Sequence, residues 1–223
     1  MIRRFAIVAC ALMAAASLYA DEGIKKLPGG VRVDRAEMTV YASGEVVFRE
    51  GPLEFLACSR GTKEHESVVA LDCKPFVLNI AVLSLNVTPG KPVQQAEANQ
   101  MPQGPPFIVT IRWTDKKGKV HEVPAGTMVR RLENKGDLGD IQWVYTGSSI
   151  GKSEVGKRKV FMADETGAVI SVWHEPTTMF DLKLAEADSD ETYEANTEAI
   201  PPLGTKVEVV LKPAPKKDGE GQK

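Results

Sequence analysis

Apolar and polar residues alternate along most of the chain, which is the pattern of strands with one buried face. The segments EMTVYA and EVVFRE flank Ser43-Gly44 and predict a hairpin, and LEFLAC predicts the strand that follows. Two further hairpins are predicted at Gly118 and Gly167, where glycine accepts the positive φ of a tight turn. KVEVVLK, at 206–212, predicts a last strand, so the pattern indicates a mostly antiparallel sheet.

One stretch departs from this alternation and predicts a helix. Pro75 suits a first helical position, and apolar residues recur from Phe76 to Leu85, before Pro89-Gly90. A helix at about 74–86 with so broad an apolar surface is expected to pack on a sheet. The predicted fold class is therefore α+β, with mostly antiparallel β hairpins and one central apolar helix packed on the sheet.

The ends of the chain differ in composition from its middle. Residues 1–20 have a cationic head followed by a short apolar run, which predicts a signal peptide cleaved after Ala20 and export to the periplasm or the exterior. Residues 21–35 are a polar lead-in, 36–212 a single domain and 213–223 a predicted disordered tail. No transmembrane segment is predicted in the mature chain, because the apolar run at the start is too short to span a bilayer.

Charge excludes one class of partner. The full chain has 28 basic and 30 acidic residues, a net charge of -2, and removing Arg3 and Arg4 with the signal peptide makes it -4. No basic stripe runs along the sequence, so nucleic acid is not predicted as a partner and an anionic membrane is disfavoured.

The segment from Phe55 to Cys73 contains most of the candidate chemistry. Cys58 and Cys73 are the cysteines of the predicted mature chain, and three interpretations of them remain open. They form a disulfide, since exported thiols tend to pair; or they are unpaired and buried as small apolar residues; or they bind copper or zinc together with His65. In the last case Cys73, at a helix start, would be the more reactive thiol. An iron-sulfur cluster is not expected, because such clusters need four thiolates or two cysteines with two nearby histidines.

Five segments of the sequence carry a family resemblance. CSRGTKEHES, KPFVLNIAVLSLNVTPGKPV, WVYTGS, ADETGAVISVW and IPPLGTKVEVVLKP, taken in order, resemble the YdjY-type domain, a family of exported bacterial proteins. The likeness extends over roughly Val31 to Pro213. It implies an exported location and a shared fold rather than a particular reaction.

Binding is favoured over catalysis on the sequence alone. No nucleophile has a base at a meaningful spacing, and the GSS at 147–149 lacks the context of a serine hydrolase. We therefore expect a non-enzymatic binding or envelope-associated protein, with an envelope protein as its partner, and a thiol-dependent metal or redox protein as the alternative. The expected contact surface combines the proline-rich connection at 89–106 with seven polar residues: Gly61, Thr62, Lys63, Glu64, His65, Glu66 and Ser67.

Overall fold

The computed structural model describes residues 23–215 except 154 and 157. The predicted signal peptide and residues 216–223 of the predicted tail lie outside the described residues. Among the residues described, none of the helices combines the length and the apolar character needed to cross a membrane.

The described chain is built mainly of strands, with two α-helices and short 3-10 turns. The strands in chain order are β1 Lys25–Leu27, β2 Val31–Asp34, β3 Thr39–Val46, β4 Phe55–Ser59, β5 Ser67–Leu71, β6 Pro106–Thr114, β7 Val120–Pro124, β8 Gly126–Arg131, β9 Asp137–Gly139, β10 Gln142–Tyr145, β11 Ile150–Lys152, β12 Lys159–Phe161, β13 Ala168–Ser171, β14 Phe180–Leu182, β15 Tyr193–Ala195 and β16 Lys206–Pro213. The helices are α1 Pro75–Leu83 and α2 Met162–Thr166.

Eight strands close on themselves as a barrel. Their order is β3-β16-β6-β10-β14-β13-β4-β5, and β5 pairs back onto β3 through Gly44↔Leu71, Glu45↔Ala70 and Val46↔Val69. The neighbours are antiparallel except β4–β5 and β13–β14, which are parallel. β2 pairs with β3 and β1 pairs with β2, which extends the sheet beyond the ring. β7 pairs with the C-terminal half of β6, from Thr110 to Thr114. Closing the ring satisfies edges that an open sheet would leave unpaired.

Large side chains from adjacent barrel strands fill the core. Phe107, Tyr145 and Phe180 are fully buried on β6, β10 and β14, and their ring centroids lie 5.1 to 5.8 Å apart. Trp143 is also fully buried, and its indole N–H donates to the Ser171 carbonyl at 2.8 Å. The donor is thereby satisfied where no water reaches it.

The predicted α+β class is wrong, because the described part of the chain forms a closed barrel with two short helices. The expected central helix at 74–86 is the nine-residue α1, Pro75–Leu83, and only one side of it is buried. Leu78, Ala81 and Val82 contribute to the core, whereas Phe76 remains 45% exposed. Most core residues lie on strands, so the helix covers part of the barrel surface and does not organise the sheet.

Two predicted turns are also wrong. Ser43-Gly44 lies inside the continuous strand β3, where a Cβ on Gly44 would come within 2.7 Å of the Ala70 carbonyl oxygen. Glycine is needed there because β5 approaches β3 closely. Gly167 has a φ of 80° but ends helix α2, and the strands on either side of α2 pair elsewhere. In the predicted lead-in, β2 places Val31 and Val33 in the core.

Candidate functional site

The loop from Gly61 to Ser67 joins two neighbouring parallel strands by an unusually short path. β5 begins beside the start of β4, with Phe55 paired to Ser67, so the connection must run back along β4 for roughly 13 Å. Parallel strands ordinarily need a dozen or more connecting residues. The loop therefore lies across one side of β4 and does not project freely.

Hydrogen bonds from the loop's own polar groups fix its shape. The Thr62 hydroxyl donates to the Ser59 carbonyl at 2.5 Å, and the Ser67 hydroxyl donates to the Lys63 carbonyl at 2.6 Å. The Gly61 N–H donates to the Glu64 carboxylate at 2.8 Å. Thr62 also packs against Gly167, where a Cβ would lie 2.1 Å from its hydroxyl oxygen. These contacts order the loop before any partner arrives.

Lys63 is the centre of a charged cluster under this loop. Its ammonium lies 4.8 Å from the centre of the Phe55 ring and 3.0 Å from a carboxylate oxygen of Glu66. It also exerts an electrostatic attraction on Glu54 and Glu175, which come from other parts of the chain. We call Lys63, Glu54, Glu66 and Glu175 the Lys63 cluster.

Burial shifts the proton affinity of two carboxyl groups in the Lys63 cluster. Burial, and next the negative charge of Glu66, raise the pKa of Glu54 to about 7, while Lys63 acts in the opposite direction. Burial also raises the pKa of Glu175, although the Thr177 hydroxyl and backbone N–H donate to its carboxylate at 2.9 Å. Burial thus favours the neutral forms of Glu54 and Glu175, so these two carboxyl groups are not fixed negative charges.

His65 lies at the surface, whereas the two cysteines are buried. Its side chain is 77% exposed, and its Nε2 lies 3.4 Å from Glu66. Cys58 and Cys73 are both buried and unbonded, so the structure contains no disulfide between them. Among the described residues, no group of three His, Cys, Asp or Glu side chains is placed to hold a metal ion. The structure therefore does not bring Cys58, His65 and Cys73 together as copper or zinc ligands.

The cysteine environments favour thiols over thiolates. Burial raises the pKa of Cys58, although hydrogen bonds with Ser67 and Thr62 oppose the shift. Burial also raises the pKa of Cys73, to about 12, and nearby Asp72 adds to the effect. Burial therefore works against the expected reactivity of Cys73 at the start of α1.

The proline-rich connection is anchored apart from the 61–67 loop. Lys91 and Gln103 exchange two backbone hydrogen bonds, of 2.8 and 2.9 Å, and so tie its two ends together. The Gly90 N–H donates to the Tyr145 carbonyl, and the Asn99 N–H donates to Asp188. The 61–67 loop packs on Gly167 instead. The two parts of the predicted contact surface, this loop and the proline-rich connection, are therefore held by different residues.

Sequence reasoning located the 61–67 loop but missed Glu54 and Glu175. Glu54 lies in the segment LEFLAC, where it looks like the polar partner in an alternating strand. Glu175 lies in HEPTTMFD, which looks like the end of a strand. One sequence feature could have pointed to Glu175: the segment HEPTTMFD is rich in polar residues although it connects the buried strands β13 and β14.

Comparison with known proteins gives one match. The family model described as the YdjY domain matches residues 31–212, which is most of the chain and includes the barrel strands and the 61–67 loop. No curated protein and no solved structure matches the chain.

Proposed function

The chain belongs to the YdjY domain family, and from this premise we propose that it is an exported, non-enzymatic protein of the cell envelope. Its proposed role is to bind a basic segment of another envelope protein through the 61–67 loop and the Lys63 cluster. The sequence of residues 1–20 supports export, since a cationic head and a short apolar run precede Ala20.

The ordered acidic loop is the observation that carries the binding proposal. Its internal hydrogen bonds fix the backbone, so binding would cost little further ordering of the loop. Glu64 and Glu66 lie on the loop, and Glu54 and Asp190 are close enough to influence each other electrostatically. Glu64 and Glu66 on the loop, with Asp190 near Glu54, would attract a cationic segment.

Export is tested by the mass of the mature protein. Cells that express the full gene are separated into cytoplasmic and exported fractions, and the intact mass of the protein is measured in each. The expected result is an exported chain that begins at Asp21. A chain retaining residues 1–20 and found only in the cytoplasm would contradict the proposal.

Partner binding is tested by photo-crosslinking in cells. A photoreactive amino acid replaces the exposed His65, and a matched variant carries it at Lys116, in the exposed β6–β7 turn. We expect a discrete cross-linked protein from position 65 but not from position 116, and its loss when Glu64→Lys reverses the loop charge. Equal products from both positions, or products unaffected by Glu64→Lys, would exclude the loop as the contact surface.

A further inference from the structure

Helix α1 exposes an apolar face. Phe76, Ile80 and Leu83 are spaced at helical intervals and are 45%, 44% and 41% exposed. The opposite side of the helix is buried in the core, so both sides of α1 are apolar. A surface helix normally presents polar residues to water, so this exposed face needs an explanation.

The β11–β12 hairpin continues the same surface. The rings of Phe76 and Phe161 meet edge to face with their centroids 5.7 Å apart. Phe161 pairs across the hairpin with Ile150, which is 63% exposed, and Val155 beyond it is 88% exposed. We call these residues, with Ile80 and Leu83, the apolar patch.

Basic residues surround the apolar patch although the whole chain is acidic. Lys152 lies opposite Lys159 in the hairpin, and Lys74 immediately precedes α1. From 150 to 161 the sequence has four basic residues and one acidic residue. Two carboxylates beside the patch are hydrogen-bonded within the protein: Asp164 accepts the Phe76 N–H and Glu165 accepts the Ser153 hydroxyl. In the sequence, residues 150–165 together with Lys74 contain five basic and three acidic residues.

We propose that the apolar patch docks on the surface of an anionic lipid bilayer. The apolar side chains would enter the boundary between headgroups and acyl chains, and Lys152, Lys159 and Lys74 would lie near the lipid phosphates. A second copy of the chain fits less well, because a two-fold dimer through this patch would bring together two surfaces that carry the same lysines. The proposal rests on the proposed export, which would bring the protein to envelope lipid.

Vesicle sedimentation with the purified mature chain tests the proposal. Vesicles made of equal parts phosphatidylglycerol and phosphatidylcholine are compared with phosphatidylcholine alone, at low and high salt. We expect binding to the anionic vesicles that high salt weakens. The Lys152→Glu/Lys159→Glu variant should lower the partition coefficient by on the order of tenfold or more, since each basic residue near an anionic surface contributes to binding.

A second variant, Ile80→Ser/Leu83→Ser, removes exposed apolar side chains and should also reduce vesicle binding. Matched controls lie elsewhere on the surface: Leu203→Ser, at a position 62% exposed, and Lys116→Glu/Lys117→Glu in the β6–β7 turn. Circular dichroism confirms that each variant is folded.

Three results would overturn the proposal: wild-type protein that binds both vesicle types equally, controls that lose as much binding as the patch variants, or patch variants that change only self-association. Each is obtained with purified protein, so it is distinguishable from a failure of export or of binding by the 61–67 loop.

Discussion

Asp181 should make the protein less stable as the pH rises. It lies on β14, opposite Val144, and is fully buried, and neither of its carboxyl oxygens has a hydrogen-bond partner among the described residues. Burial raises the pKa of Asp181 well above its ordinary value. The backbone near Leu182 and Glu175 opposes this shift, and the nearby charge of Glu175 adds to it. Ionising such a group inside the protein is costly, so the folded state keeps the proton.

The sign of the effect follows from the two protonation states. Above pH ~4 an unfolded Asp releases its proton, whereas the folded Asp181 holds it, so unfolding releases a proton and rising pH favours unfolding. The free energy of unfolding falls by roughly 1.4 kcal/mol for each pH unit in this range. One such pH unit is already an appreciable part of the ~5–15 kcal/mol that stabilises a typical domain.

The substitution Asp181→Asn tests this reasoning because it keeps the shape and removes the ionisation. We expect the variant and the wild type to have similar stability near pH 4, and the variant to become progressively more stable at higher pH. Urea unfolding followed by circular dichroism at several pH values measures the difference, and Asp140→Asn at an exposed position is the matched control. A difference that does not grow with pH for Asp181→Asn, or that grows equally for Asp140→Asn, would refute the argument.

Two further predictions concern the 61–67 loop and the cysteines. Gly167→Ala should destabilise the protein by about 1–2 kcal/mol or more, because a φ of 80° disfavours a side chain and the new Cβ would meet Thr62. In chemical unfolding, adding Thr62→Ala to Gly167→Ala should recover part of that loss. If the free-energy changes of the two single variants simply add in the double variant, the contact between positions 62 and 167 is excluded. Cys58 and Cys73 should react slowly with a thiol reagent in the native protein and give two equivalents per mature chain in urea without reductant; no reaction in urea would indicate a disulfide.

Local pattern was sufficient where the pairing partners are close in sequence. The β6–β7 hairpin forms as predicted, because alternating residues flank a polar turn in which Gly118 has a φ of 79°. β16 also forms as predicted, with Val207 and Val209 buried. In both elements the period-two alternation predicts a strand, although it does not identify the strand with which it pairs.

The local alternation of apolar and polar residues does not predict closure of the barrel, because closure depends on pairing between strands far apart in the sequence. The glycine of Ser43-Gly44 is consistent with a turn, yet its role is to admit the Ala70 carbonyl. The broad apolar surface of α1 predicts a central helix packed on the sheet, but it does not show that Phe76 and Ile80 face outward. Strand pairing between distant segments decides the position of Gly44.

The candidate site was predicted in part for the same reason. The 61–67 loop is contiguous, so its polar composition marked it. Glu54 and Glu175 reach Lys63 only through the fold, and Cys73 is buried by packing that a helix-start position does not reveal.

The place of β16 has a consequence for how the protein is made. This strand, the last in the described chain, inserts between β3 and β6 and pairs with both. A chain that stops short of Lys206 would lack the pairings of β16 with β3 and with β6, so the earlier strands cannot complete the ring in their native order. If the polypeptide is threaded through a membrane pore from its N-terminus, its native ring closes only after the final strand has emerged.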